Sequence, residues 1–217
     1  RTEEALMKIE SCRPDAIFFL TGSVSRDEDF SFLDKVRNSC GSLMVGRGDC
    51  LLDEFERIRF SAPWMDAILT DFTSDGLRNF LRTELTDHDV DYSDIVDLRK
   101  EGNGLECIGK RVKGREVEVP IPRYELFPNK KYRYPFVKSR PFASILTDYG
   151  CPFRCKFCVM AEIGFKRRPT INVIEELDYV AKFGLNFFEL VFADANFGIL
   201  KRDVEISRHI RKLYDAY

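Results

Sequence analysis

Residues 142–158 run Phe142-Ala-Ser-Ile-Leu-Thr147-Asp-Tyr-Gly150-Cys151-Pro-Phe-Arg-Cys155-Lys-Phe-Cys158. The first six residues form a short apolar run between Pro141 and the Tyr149-Gly150 turn, which predicts a strand. The turn opens into CxxxCxxC, with three cysteines in eight residues. Thiolates are soft ligands that favour iron–sulfur clusters or zinc. Three of them neither close a tetrahedral zinc site nor fill a four-iron cluster, so one position stays open for an exogenous ligand, as a catalytic centre requires. The competing reading is structural zinc with a distant fourth ligand, such as Cys107, Cys50 or a histidine.

Working downstream, Thr170 can cap a helix that carries Val173, Ile174, Leu177, Val180 and Ala181 on one face and stops at Gly184. A strand follows over 187–192. Ile206, Ile210, Leu213, Tyr214 and Tyr217 make the next helical stripe. Upstream, strand patterns at 15–20, 42–45 and 66–70 alternate with helical patterns at 3–10, 27–38, 51–58 and 76–85. That alternation predicts a parallel, doubly wound sheet. Between the two, residues 86–140 are polar and punctuated by Pro120, Pro122, Pro128 and Pro135. They read as a linker with a small hairpin, 105–108 and 116–119, turning at Lys113-Gly114.

Composition narrows the class. The 217 residues are 44% hydrophobic and 32% charged, which is a globular balance. Lys plus Arg total 34 against 36 Asp plus Glu, a net charge of −2, so no global field points to nucleic acid or an anionic membrane. No apolar run approaches the roughly 18 residues of a membrane span, and no signal-peptide pattern opens the chain. A cytoplasmic location is expected. Seven cysteines, at 12, 40, 50, 107, 151, 155 and 158, are an odd number and do not suit a complete disulfide framework. Cys12, Cys40, Cys50 and Cys107 lack motif spacing and are expected as small buried apolar residues.

The cysteine motif, with the aromatic Phe157 just before its third cysteine, resembles the signature of the radical S-adenosylmethionine (radical SAM) superfamily. The flanks agree: TDYGCPFRCKFC (147–158), FKRRP (165–169), INVIEELDYV (171–180) and FFELVFADANFG (187–198) resemble the cobalamin-associated branch. The resemblance covers 141–217. It implies a [4Fe–4S] cluster held by Cys151, Cys155 and Cys158, with S-adenosylmethionine (SAM) on the open iron through its amino and carboxylate groups. It also implies reductive cleavage of SAM to methionine and a 5′-deoxyadenosyl radical, or use of SAM to methylate cobalamin. An electron donor such as flavodoxin or ferredoxin is implied with it, and a transferase or a related radical enzyme as the whole protein.

Secondary positions follow from the same resemblance. Phe157 matches an aromatic whose neighbourhood contacts adenine, and equally suits packing of the loop. Asp194 and Asn196 fall where the second strand ends, at the position of a Gly-Gly-Glu-type motif that receives the SAM amino group. The glycines are absent here, and a capping turn is the plainer role. Lys166-Arg167-Arg168 reads as a solvated basic turn, with SAM's carboxylate or a phosphate as the sharper alternative.

The front segment, RPDAIFFLTGS (13–23), SLMVGRGDCLLDEF (42–55) and MDAILTDFTSDGLRNFL (65–81), resembles the cobalamin-binding domain that precedes the radical SAM core. The DxHxxG loop that ligates cobalt through histidine is absent: of His88 and His209, neither has the spacing, and Asp91 stands where the glycine would follow His88. An upstream loop, a branch that binds cobalamin without the histidine, or a domain that has lost cobalamin would each explain it. Gly46 and Gly48 would let backbone approach a cofactor tail or simply make a turn. Arg47-Gly48-Asp49 is read as coincidence, and the residues around the front cysteines do not resemble a methylthiotransferase.

The expected organisation is therefore an α/β chain. A Rossmann-like, cobalamin-binding-like doubly wound domain over 1–85 is N-terminally incomplete, and 86–140 is the linker. The first βα units of a truncated radical SAM partial TIM barrel occupy 141–217. The rival from another class is a zinc- or cluster-stabilised binding module without chemistry.

Overall fold

The computed structural model describes residues 2–52, 55–86, 88–100, 113–158, 160, 164–182 and 189–216. The chain divides into two compact units, Arg1–Lys110 and Arg111–Tyr217.

The first unit is built on a four-stranded sheet in the order β1 (Ala16–Leu20), β2 (Leu43–Arg47), β3 (Ala67–Leu69), β4 (Ile95–Asp97). The first three strands are parallel and β4 closes the sheet antiparallel to β3. Strands covered on both faces become continuously apolar, and β2 and β3 are accordingly buried nearly throughout. Alternation sorts their side chains. Met44 and Ile68 face a core with Leu33 and Val36 of α2 (Arg26–Ser39), Ile58 of α3 (Phe55–Ser61), and Leu51 from the turn between β2 and α3. Val45, Ala67 and Leu69 face the other side, with Phe80 of α4 (Gly76–Leu85) and Ile95. Helix α1 (Thr2–Cys12) leads into β1.

Two local readings change. Leu51, expected to open a helix, instead ends a 3-10 turn, Asp49–Leu51, and the helix is described over Phe55–Ser61. Strand β4 belongs to the stretch read as linker. Its Ile95 and Val96 are buried, and it supplies the one antiparallel edge of an otherwise parallel sheet.

In the second unit β6 (Phe142–Ile145) pairs in parallel with β9 (Glu189–Phe192), and α5 (Thr170–Lys182) lies between them in the chain. Helix α6 (Lys201–Ala216) follows β9, making two successive βα units. Ala143, Ile145, Val173, Leu177 and Ile206 form the core, with Tyr124 from a 3-10 turn at Tyr124–Leu126. A smaller sheet carries β5 (Lys113–Glu116), β8 (Phe165–Arg167) and β7 (Asp148–Gly150) in that order. β5 and β8 are parallel, and β7 and β8 antiparallel. The first arm of the expected hairpin (105–108), Cys107, Gly184, residues 187–188 and Tyr217 lie outside the described residues.

Candidate metal centre

The cysteine segment leaves β7 and returns in β8, so the antiparallel pair forms the root of the loop. Gly150 makes the departure. It has φ +79°, and a Cβ there would sit 1.7 Å from the Gly164 carbonyl oxygen, so only glycine fits. The same close approach lets the Cys151 amide donate to that carbonyl at 3.2 Å. Within the loop the Cys158 amide donates to the Cys155 carbonyl at 3.0 Å. All three cysteines are free thiols: Cys155 is exposed, and Cys151 and Cys158 are half-buried. Among the described residues no three His, Cys, Asp or Glu side chains converge on one point as a single-ion site. A four-iron cluster asks something different, since each thiolate serves a separate iron corner. Three unpaired cysteines on one anchored loop fit that group in kind and number.

The end of β9 braces the loop from the side. Asp194 Oδ1 accepts the Thr147 amide at 2.7 Å and also the Asp148 amide. Its other oxygen, Oδ2, is buried and bonded to nothing among the described residues. Burial pushes the Asp194 carboxyl above the usual aspartate value, and the two amides only partly offset this. Asn196 Nδ2 donates to Cys151 Sγ at 3.0 Å. Asp194 and Asn196 are thus brought to the loop root, whereas Phe157 stands 93% exposed beside Cys158.

A buried ionic layer underlies this root. Arg202 of α6 pairs with Asp148 and donates to the Thr147 carbonyl at 3.1 Å and to the Arg168 carbonyl. It therefore touches β7 and the residue that follows β8. Burial raises the Asp148 carboxyl, with Arg202 pulling the other way. Asp203 caps the start of α6, its Oδ2 accepting the Gly198 and Leu200 amides at 3.0 and 2.8 Å. The solvated basic turn expected at 166–168 is not found: Lys166 and Arg168 are buried, and Arg168 binds Glu176, Asn172 and the Leu146 carbonyl. A signal was present in the sequence, since Glu176 shares the apolar stripe of Val173, Leu177 and Val180, where an acid needs a buried partner.

In the first unit the loops after β1, β2 and β3 gather at the carboxyl edge of the sheet. Asp49 accepts the Ser23 amide at 3.1 Å and its hydroxyl at 2.7 Å. The hydroxyl bond holds the Asp49 carboxyl below its ordinary value. Buried Arg47 donates to the Leu69 carbonyl at 2.9 Å and to that of Thr70. The space read as room for a cofactor tail is used by the chain itself. A Cβ on Gly48 would lie 1.8 Å from the Thr21 carbonyl oxygen, and one on Gly46 would strike Leu51 and Phe19. His88 is exposed beyond α4, and His209 of α6 contacts Asp178 at 2.7 Å. His88, the histidine of the first unit's described residues, follows the C-terminal end of α4 rather than one of the loops after β1, β2 and β3. Cys40 and Cys50 pack against the core as expected, but Cys12 is exposed.

No family model matches the chain. It is 36% identical over 100 residues to an uncharacterised methyltransferase, PH0819, of Pyrococcus horikoshii, a match that spans 44% of this chain and 21% of that protein. It is 25% identical over 154 residues to the cobalamin-dependent radical SAM methyltransferase TokK of Streptomyces tokunonensis, spanning 67% of this chain and 22% of TokK. Its fold matches the radical SAM methyltransferase TsrM of Kitasatospora setae, solved with tryptophan and a SAM analogue, at a TM-score of 0.69 and 14% identity. That match takes in 99% of this chain and 43% of TsrM. Another structure of TsrM contains cobalamin and a [4Fe–4S] cluster. The chain thus spans about a fifth of the curated relatives it matches. No helix among the described residues is long and apolar enough to cross a membrane. In fold and in sequence, the chain is similar to the cobalamin-dependent radical SAM enzymes: a cobalamin-binding-like α/β domain followed by the first βα units of a radical SAM barrel.

Proposed function

We propose that this chain is part of a radical SAM enzyme of the methyltransferase kind, and that Cys151, Cys155 and Cys158 hold its [4Fe–4S] cluster. The single observation that carries the reading is the CxxxCxxC loop, rooted at the carboxyl ends of β6 and β9 by Gly150, Asp194 and Asn196. Ligands of parallel α/β folds gather at such ends. When bound, the cluster would supply the electron that splits the SAM sulfonium, received in turn from a small donor such as flavodoxin or ferredoxin. The chain's own residues position and shield. The three thiolates would hold the cluster and leave one iron open for the SAM amino and carboxylate groups. Exposed Phe157 is available to lie against the adenine. Asp194, with one buried oxygen unused, is a candidate acceptor for the SAM amino group. The carboxyl edge of the first sheet would face cobalamin.

Anaerobic reconstitution of the longer protein tests this. A reducible four-iron cluster is expected, with SAM-dependent 5′-deoxyadenosine or methyl transfer, and each cysteine-to-serine variant should lose both. One tightly held zinc with four protein ligands and no SAM affinity would instead establish a binding module.

A further inference from the structure

The Asn196–Cys151 contact has a consequence beyond placement. Asn196 follows β9 by four residues, and Asp194 fixes that segment by clamping the amides of Thr147 and Asp148. The carboxamide is thereby held with Nδ2 3.0 Å from Cys151 Sγ. Cys155 and Cys158 receive no such bond from the described residues, so the three sulfurs are not equivalent.

Hydrogen bonds to ligand sulfur stabilise the more negative, reduced state of an iron–sulfur cluster and are among the levers that set its potential. We propose that Asn196 is the residue that tunes the reduction potential of the cluster, by donating to Cys151 sulfur, rather than a direct ligand of SAM. This rests on the reading of 151–158 as the cluster loop. The half-buried setting strengthens the effect, because water competes less for the sulfur.

The test is a redox titration of the reconstituted full-length protein, followed by electron paramagnetic resonance. Asn196→Ala removes the donor and should lower the reduced-to-oxidised ratio at fixed potential about tenfold, which is about 59 mV for one electron. Asn196→Asp keeps the shape but turns a carboxylate toward the sulfur, and should move the potential further in the same direction. Loaded variants that both keep the wild-type potential overturn the proposal.

A second measurement serves where a variant does not load. In the reduced, metal-free protein the side-chain amide resonances of Asn196 should shift on Cys151→Ala, and unmoved resonances also overturn the proposal. A wild-type protein that holds no cluster defeats the proposed function instead. The amide readout still reports on the contact, so the two failures separate.

Discussion

The Arg168 guanidinium and the Glu176 carboxylate meet at 2.5 Å with side chains only 4% and 2% exposed. Tyr124 completes the group, its hydroxyl donating to the other Glu176 oxygen at 2.7 Å, and burial pushes the phenol well above its ordinary value. Breaking a buried pair by removing one partner strands a charge and costs about 3–5 kcal/mol, whereas replacing both with apolar groups is often neutral. Arg168→Met and Glu176→Leu should each destabilise the second unit by that amount in urea denaturation. The double variant should recover most of the loss. A double variant no more stable than the worse single one would show that the pair is not the coupled element.

Asp148 and Asp194 carry carboxyls raised above the ordinary value of 3.8. Between 3.8 and the raised values, the folded chain holds more protons than the unfolded one. Stability contributed by these groups therefore falls as pH rises through that window and is level above it. This is the reverse of the usual acid behaviour of paired carboxylates. Asp194→Asn keeps an acceptor for the Thr147 and Asp148 amides but removes the titration. Denaturant midpoints measured against pH should show a shallower fall in the variant, and an unchanged slope would assign the effect elsewhere.

How far the sequence disclosed this follows the physics of each part. Helix α4 was legible to the residue, because a glycine start and amphipathic spacing are local signals. That the three cysteines fall in one loop was legible because Gly150 marks a break just before Cys151. Strand β4 was not: three residues inside a polar stretch carry no periodicity, and tertiary pairing with β3 makes them a strand. β7 and β8 were missed for a related reason. Each is three residues long, with a single aromatic (Tyr149, Phe165) among charged residues and glycine, too short to show alternation; the β7–β8 pairing itself makes them strands. The contact of Asn196 with Cys151 was hidden too, since the two lie 45 residues apart in the chain.

Gly150 and Gly198 offer a matched comparison. Both have positive φ, +79° and +93°, so alanine is strained at either. A Cβ on Gly198 meets nothing within 4 Å, and the cost there should be the conformational one, of order 1 kcal/mol. At Gly150 the Cβ would collide with the Gly164 backbone. Gly150→Ala should force apart the β7–β8 root and abolish cluster loading, while Gly198→Ala should load normally with a small drop in thermal midpoint. Iron analysis after reconstitution decides it.

Arg202 is a single guanidinium beside Asp148 and Asp203, with its Nε 3.6 Å from Asp203 Oδ1, and it bridges α6 to β7 and to Arg168 just after β8. Its side chain is 13% exposed and that of Asp148 1%. Arg202→Met leaves Asp148 as a buried, uncompensated carboxylate, at a cost of about 3–5 kcal/mol near neutral pH. The Asp148 carboxyl, already raised, must then rise further. Acid that protonates it should therefore return much of the lost stability. Two independent rescues are expected: lowering the pH, and adding Asp148→Asn. Arg202→Lys keeps charge but not the fork that reaches Asp148 and two carbonyls together, so it should restore stability only in part. Thermal unfolding over a pH series, run on all four proteins, reads each of these. A deficit in Arg202→Met that is the same at every pH, and is unmoved by Asp148→Asn, would mean that Arg202 acts through packing rather than as the counter-charge to Asp148.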